Sequence, residues 1–307
     1  MSLAARILLG LLVALALLYI WRWIVLERRA RSAAALTPGL VHPAVGFVTN
    51  FFDTLGVGSF APTTSVFKLL KLVPDERIPG TLNAGHALPT VAQALIFIAV
   101  VSVDPLTMVT MIAASVMGAW LGAGVVARLR PRAIQIGMGV ALLVAAILFV
   151  LGNLQWIPAG GDALALQGPL LAFAIGVNFL LGALMTLGVG LYAPCLILVS
   201  LLGMNPITAF PIMMGSCAFL MPVAGLRFIA AGRYDRRAAI GLALGGIPGV
   251  LIAAFIVKQL PLLWLRWLVV VVVLYAAFAM LRASRPAPGD RARIVPRFQR
   301  ISPGCEQ

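Results

Sequence analysis

The sequence predicts an all-α polytopic membrane protein: an N-terminal anchor helix, then two inverted-topology repeats. Each repeat is a broken, re-entrant helical hairpin followed by three transmembrane helices, giving about seven membrane crossings. Three observations carry this prediction. First, 62% of the 307 residues are apolar and only 10% are charged, whereas a soluble domain carries about 25% charged residues. The apolar residues also fall in runs long enough to cross a hydrocarbon core of roughly 30 Å. Second, Thr54-Leu55-Gly56-Val57-Gly58-Ser59-Phe60-Ala61-Pro62 recurs as Thr186-Leu187-Gly188-Val189-Gly190-Leu191-Tyr192-Ala193-Pro194, with seven of nine positions identical at an offset of 132. The same offset pairs Pro74 with Pro206 and Pro79 with Pro211, and an offset of 131 pairs Gly118 with Gly249. Third, the basic loops change places between the two halves.

Along the chain, residues 1–40 hold the anchor helix and a basic loop. The apolar run Ile7 to Leu26 is longer than the apolar region of a signal peptide, and Arg28, Arg29 and Arg31 follow it at once. Those charges favour an uncleaved helix with its N-terminus outside. Residues 41–151 form the first repeat. Val41 to Val73 is too long for one helix and is interrupted by Gly56-Val57-Gly58-Ser59. Spans follow at Pro79–Val103, Leu106–Leu129 and Ala133–Leu151. A polar linker, 152–168, divides the halves. The second repeat, 169–282, opens with a broken segment, Pro169–Leu202, and continues with spans at Pro206–Ala231, Ala238–Val257 and Pro261–Leu281. The tail 283–307 is basic and contains Pro, a composition expected to stay disordered.

Charge sets the orientation. The net charge of +14 would suit a nucleic-acid binder, but no Lys or Arg lies between Arg132 and Arg227. The bases sit in short loops, which is the positive-inside pattern rather than a phosphate-tracking groove. Arg128, Arg130 and Arg132 separate the second and third plain spans of the first half; the equivalent loop in the second half has only Lys258. Conversely, Arg233, Arg236 and Arg237 precede the second plain span of the second half, and the equivalent stretch at Val101 to Pro105 has no base. The repeats therefore point in opposite directions. Loops 27–40, 68–78, 128–132, 232–237 and the tail are expected inside, in the cytoplasm; loop 152–168 is expected outside a cell membrane. Inverted repeats with paired broken helices mark secondary transporters.

The chemistry is expected at the two breaks. Glycine is costly inside a helix and tolerates positive φ, and unwound backbone in a membrane survives only when buried in protein or lining a cavity. The half-helices starting near Phe60 and Tyr192 would aim free N–H groups and positive dipole ends at a common midplane site, which favours an anion. The same glycines also suit plain close helix packing. Asp53 is the one acidic residue inside an apolar segment, so it is a candidate for carrying a coupling proton. Its alternative role is to bond the N–H groups of the adjacent break. Its repeat-mate is Met185, so either role is asymmetric. Asn83 and His86 share a helix face and could bind an anion or relay a proton; His86 also suits a purely structural role. Ser59, Thr63 and Thr64 offer hydroxyls in or just after the first break, although hydroxyls in membrane helices commonly bond their own backbone. Tyr192 and Ser216 are the polar counterparts in the second half. Asn50 and Asn178 lie on the first hairpin arms, where they could cap or cross-link helices, and His42 lies at a membrane edge. The substrate-binding set is thus Gly56, Gly58, Ser59, Thr63, Asn83, His86, Gly188, Gly190, Tyr192 and Ser216, with Asp53 for coupling. Cys195 and Cys217 read as packing residues or free thiols, as does Cys305 in the tail.

Gly46-Phe47-Val48, Gly56-Val57-Gly58, Gly80-Thr81-Leu82-Asn83, Gly188-Val189-Gly190 and the span holding Gly118 and Gly122 together resemble the TauE/SafE family of sulfite and organosulfonate exporters. The resemblance covers roughly residues 40–282, and the N-terminal helix looks additional to it. It implies a permease that exports sulfite, thiosulfate or an organosulfonate, without cofactor or metal.

Two other classes compete with transport. Ser59 after a glycine, with His86 on another segment, is faintly similar to the Ser–His dyad of rhomboid-like intramembrane proteases, but an enzyme gives no reason for a second break that lacks the serine. A role in assembling or sensing other membrane proteins is the other reading, with the basic tail as its feature. One Asp and two His are too few for an aspartyl or metal enzyme, and no Walker motif is present. The few, central polar residues favour alternating access over a continuous pore. The expected partners are a small anion and the lipid bilayer, not nucleic acid; the sequence leaves a homo-oligomer open.

Overall fold

The computed structural model describes residues 2–29, 39–126, 161–185 and 190–259 continuously, together with separate helical positions between 136 and 154 and between 264 and 282. In order these give α1 (Leu3–Arg29), α2 (Val41–Thr54), α3 (Phe60–Leu69), α4 (Ile78–Gly85), α5 (Ala87–Val100), α6 (Pro105–Val126), α7 (Gly168–Met185), α8 (Tyr192–Leu201), α9 (Ala209–Ala230) and α10 (Arg236–Gln259). Short 3-10 turns at Asp75–Arg77 and Pro206–Thr208 lead into α4 and α9. Among the described residues five helices are long and apolar enough to cross a membrane, α4 and α5 counting together as one.

The sequence repeat is a structural repeat. Helices α3 and α8 each span ten residues and start at equivalent positions. The residues before them, Ser59 and Leu191, have nearly the same backbone angles: φ −83, ψ −27 and φ −83, ψ −26. Pro62 and Pro194 fall in the first turn of these helices, where a missing N–H costs nothing. Lys71 and its repeat-mate Gly203 both take positive φ, 51 and 88, after the half-helices end. Equivalent aspartates cap the next-but-one helix of each half. Asp104 Oδ2 accepts from Thr107 N at 2.9 Å at the start of α6, and Asp235 Oδ1 accepts from Ala238 N at 2.9 Å at the start of α10. Such caps satisfy N–H groups that have no partner within the helix.

These equivalent points lie at opposite ends of the bundle, so the repeats are inverted. At one end Asp235 N donates to Thr81 Oγ1 at 2.8 Å, Trp23 Nε1 donates to Tyr234 Oη at 3.3 Å, and Arg236 pairs with Glu27 at 2.5 Å. At the other end Asp104 N donates to Leu164 O at 2.9 Å, Leu166 N donates to Thr107 Oγ1 at 3.1 Å, and Asn205 N donates to Ala163 O at 2.9 Å. The span α4–α5 runs from the first of these ends to the second.

The halves interlock through their hairpin arms. Arm α2 packs along α10 of the other repeat, and arm α7 packs along α6. These contacts are backbone to backbone. A Cβ at Gly249 would overlap the Phe47 carbonyl, and a Cβ at Gly118 would overlap the Phe179 carbonyl. Phe47 and Phe179 are themselves repeat-mates, so the same glycine seam is built twice. Close approach through small residues is how helices associate where the surrounding lipid is as apolar as the side chains.

One span differs from its sequence reading. The segment expected as a single helix from Pro79 to Val103 is two helices meeting at His86, which has φ −86 and ψ −8. Pro89 supplies the reason: it has no N–H for the Gly85 carbonyl four residues back, and its ring crowds that carbonyl. A third repeat span was expected at 133–151 and 261–281. Its described positions, from Ile136 to Leu151 and from Trp264 to Leu281, are helical. The basic loop 128–132 and the tail lie outside the described residues.

The seam predicts that Gly249→Val and Gly118→Val each destabilise the fold by about 1–3 kcal/mol through overpacking. Thermal unfolding in detergent should show both midpoints lowered. Gly10→Val on α1, where a Cβ meets nothing within 4 Å, should leave the midpoint unchanged.

Candidate functional site

The first hairpin unwinds at the expected place, and in the second the described residues just before the half-helix, Gly190 and Leu191, are not helical. Helix α2 ends at Thr54 and α3 begins at Phe60; between them Gly56 and Gly58 adopt φ 96 and φ 87, angles that side chains with a Cβ rarely accept. In the second half α7 ends at Met185 and α8 begins at Tyr192. Gly188 lies outside the described residues, and Gly190 is described. The two breaks meet in the interior, where Asp53, Gly58 and Ser59 of the first line a small cavity with Gly190 and Tyr192 of the second. Thr90, Met185, Cys217 and Met221 also line it, with Phe60 and Leu191. The cavity holds about 20 Å³, room for about one water molecule.

Asp53 is the electrostatic centre of this cavity. It is 2% exposed. The hydroxyl and backbone N–H of Ser59 lie toward its carboxyl, and Gln93 Nε2 donates to Oδ2 at 2.8 Å. The Ser59 N–H belongs to the start of half-helix α3, so the protein's own carboxyl sits where a bound anion would profit from that helix end. Gln93 extends the network. Its amide nitrogen also reaches Thr54 Oγ1 at 2.9 Å, and its carbonyl accepts from Tyr192 Oη at 2.7 Å. Thr90 lies beside the same tyrosine hydroxyl. The path Asp53–Gln93–Tyr192 thus joins the first break to the first residue of the second half-helix.

A second polar chain lies beside the first. Asn50 Nδ2 donates to Gly46 O at 2.7 Å, which fixes its amide orientation and leaves Oδ1 as acceptor. His86 Nδ1, 3.1 Å from that oxygen, therefore carries its proton. In the neutral ring Nε2 then accepts from Thr63 Oγ1 at 3.1 Å. Both imidazole nitrogens are engaged, and neither meets Ser59, so the Ser–His pairing of a protease is not formed.

The remaining candidates fall elsewhere. Gly56 faces Leu196, Met213 and Phe210 rather than the cavity. Asn83 donates to its own helix at Pro79 O, 2.9 Å, and lines a separate groove. Ser216 lies 3.4 Å from Asn178 Nδ2, which also donates to Met111 O at 2.7 Å. Thr64 is only partly buried. The structure adds Gln93 and Thr90, which sequence reasoning missed. Their signal was present: His86, Thr90 and Gln93 follow the i, i+4, i+7 spacing of one helix face.

The Gln93 bridge carries a testable energy. Gln93→Leu takes one partner each from the buried Asp53 carboxyl and the Thr54 and Tyr192 hydroxyls, so it should lower stability by about 1–3 kcal/mol. Tyr192→Phe alone should cost less. Adding Tyr192→Phe to Gln93→Leu should cost almost nothing further, since the shared bond is already gone. Additive losses in this double-mutant cycle would show that the two residues do not interact.

No curated protein and no solved structure matches this chain. A protein-family model does, described as Sulfite exporter TauE/SafE, over residues 2–149 and 170–304. The match takes in α1, so the N-terminal helix is part of the family pattern and not the addition its sequence suggested. The matched stretches leave residues 150–169 between them. A membrane protein of two inverted, Gly-broken repeats that meets this family model over most of its length belongs to the TauE/SafE sulfite exporter family.

Proposed function

We propose that this chain is a secondary transporter that moves a small anion of the sulfite, thiosulfate or organosulfonate class, in the export direction, by alternating access around the Asp53–Gly58–Gly190 cavity. The observation that carries the reading is the meeting of both helix breaks at one buried point, with backbone donors from the first and Tyr192 from the second. Among the described residues no Lys or Arg lines that cavity. Dipoles, N–H groups and hydroxyls must therefore hold the charge, which suits a weakly bound substrate that has to leave again.

Asp53 supplies a coupling device. Ionised, it competes with the substrate for the two donors of Ser59 and repels an anion across the cavity. Protonated, it releases at least one of those donors and the repulsion vanishes. A proton and an anion then occupy the site together and cross together. The companion chain Thr63–His86–Asn50 positions the α4–α5 junction next to α3. The anion itself reaches the site after an opening movement, since about 20 Å³ admits a water and not a polyatomic anion.

Proteoliposomes loaded with sulfite, thiosulfate, a sulfonate or a carboxylate test the substrate class; flux of none of them would remove the proposal. In Asp53→Asn the site is permanently uncharged. Its flux should lose the acceleration that an imposed proton gradient gives the wild type, and its pH profile should flatten. Full transport with an unchanged profile would make Asp53 structural.

Gly190 offers a cleaner probe of the cavity than Gly58. A Cβ at Gly190 meets no atom within 4 Å and no positive φ strains it, whereas Gly58 carries φ 87. Gly190→Val should fold with near-wild-type stability and transport at least tenfold more slowly. Undiminished flux would take the substrate out of this cavity.

We further propose that the end bearing Glu27, Arg77 and Arg233 faces the cytoplasm, and that the N-terminus and loop 152–168 face outward. The support is the gathering of basic residues at that end. With Cys305 replaced by Ser, Cys195 and Cys217 remain buried. An impermeant thiol reagent applied from outside should then label Ala163→Cys and miss Arg237→Cys. The reverse pattern would invert the topology.

A further inference from the structure

A groove of about 390 Å³ runs between α6 and α9 above α4, away from the central cavity. Its sides are apolar: Trp120 from α6, Val223 and Phe228 from α9. Trp120 is 70% exposed and Val223 47%, so the groove opens sideways, where lipid surrounds the bundle. Its basic end carries Arg227 and Arg233, both exposed. Neither side chain makes a hydrogen bond or ion pair among the described residues, in contrast to Arg236 close by, which Glu27 holds at 2.5 Å. Asn83 forms the floor, with its amide already donated to Pro79 O. One of the two amide hydrogens is thereby committed to the helix backbone, and the formal positive charge of the groove lies at its arginine end.

We infer that this groove binds one anionic phospholipid, with the phosphate between Arg227 and Arg233 and an acyl chain lying along Trp120, Val223 and Phe228. Charge complementarity fixes the headgroup class, because two unpaired guanidinium groups at the edge of a membrane helix suit a phosphate diester of net negative charge. The apolar length selects a lipid over a free anion. A small inorganic anion would use the two arginines and leave a wall of aromatic and aliphatic side chains facing nothing. The groove floor is α4, one turn before the α4–α5 junction at His86, so the lipid would brace α9 against the helix that breaks there. The inference concerns a different cavity from the transport proposal and stands or falls without it.

The test is native mass spectrometry of the full chain, released from detergent with equimolar phosphatidylglycerol and phosphatidylcholine of identical acyl chains. The wild type should retain one phosphatidylglycerol per chain in preference to phosphatidylcholine. Arg227→Gln/Arg233→Gln should weaken that retention by about tenfold or more. The charge-matched control Arg28→Gln/Arg77→Gln, at exposed arginines outside the groove, should retain it. Trp120→Ala should weaken retention of both lipids, because it shortens the apolar wall without touching charge. Millimolar inorganic phosphate should not displace the lipid. Equal retention of the two lipids by the wild type would overturn the inference with no variant involved. Undiminished retention by the double arginine variant, or displacement of the lipid by inorganic phosphate, would overturn it as well.

Discussion

A peptide that unwinds inside a bilayer must find partners for its free N–H and C=O groups within the protein, because the hydrocarbon offers none. That requirement governs how the halves of this chain are joined. Each hairpin breaks at its midpoint, so each needs the other half to wrap it. The glycine seams of α2 with α10 and of α7 with α6 provide the wrapping, with Gly249 against Phe47 and Gly118 against Phe179. The seams work only if the helices approach to backbone contact, so glycine recurs at equivalent positions of the two repeats. The break, the seam and the inversion are thus one arrangement: a half that cannot bury its own unwound chain is completed by a second, oppositely directed copy.

Within this near-symmetric frame the polar chemistry is strongly lopsided. Asp53 is matched by Met185, and His86 aligns with the apolar stretch of α9 around Cys217. At the seam itself Gly46 lies against the Leu242 backbone, while its mate Asn178 donates instead to Met111 O, the mate of Leu242. The second repeat contributes Tyr192 and the Gly190 backbone; the first contributes the carboxyl, the imidazole and the glutamine that joins Asp53 to Tyr192. Symmetry lets a transporter rock between two equivalent states. A single ionisable carboxyl shared by both states avoids a second buried charge, which would be costly in this setting.

Much of this is legible in the sequence itself. The offset of 132, the swapped basic loops and the break glycines are covalent facts, and they specify two inverted hairpins directly. Asp53 stood out because a lone acid in an apolar segment is conspicuous. What it touches was less legible. The sequence left proton carrier and cap of the break as separate roles; the structure sets the carboxyl beside Ser59 at the start of α3, where the proposed proton would act at the same place as the cap. Gln93 was missed because a neutral amide in an apolar span attracts little notice, although its spacing from His86 and Thr90 was there to be counted. The division of α4 from α5 was missed for a similar reason. Pro89 was visible, but whether a proline bends or breaks a helix depends on what can take up the freed carbonyl. Asn83 was grouped with His86 by helix periodicity, and the kink turns the two toward different cavities.

That kink bears on how the site would open. The central cavity is too small for its proposed cargo, so some element lining it must move. Helices α9 and α10 run through their internal prolines, Pro222 and Pro248, without interruption, and α2 is held along its length by the seam. The α4–α5 span alone among these is divided, and its division lies at His86, bonded to Thr63 on the half-helix just beyond the first break. A tilt of α5 about that point would carry Thr90 and Gln93 away from Tyr192 and Asp53 together, widening the cavity while the glycine seams stay closed. The same movement would part Asp53 from Gln93 Nε2, so the hinge that would open the site and the carboxyl proposed to carry the proton meet in one hydrogen bond.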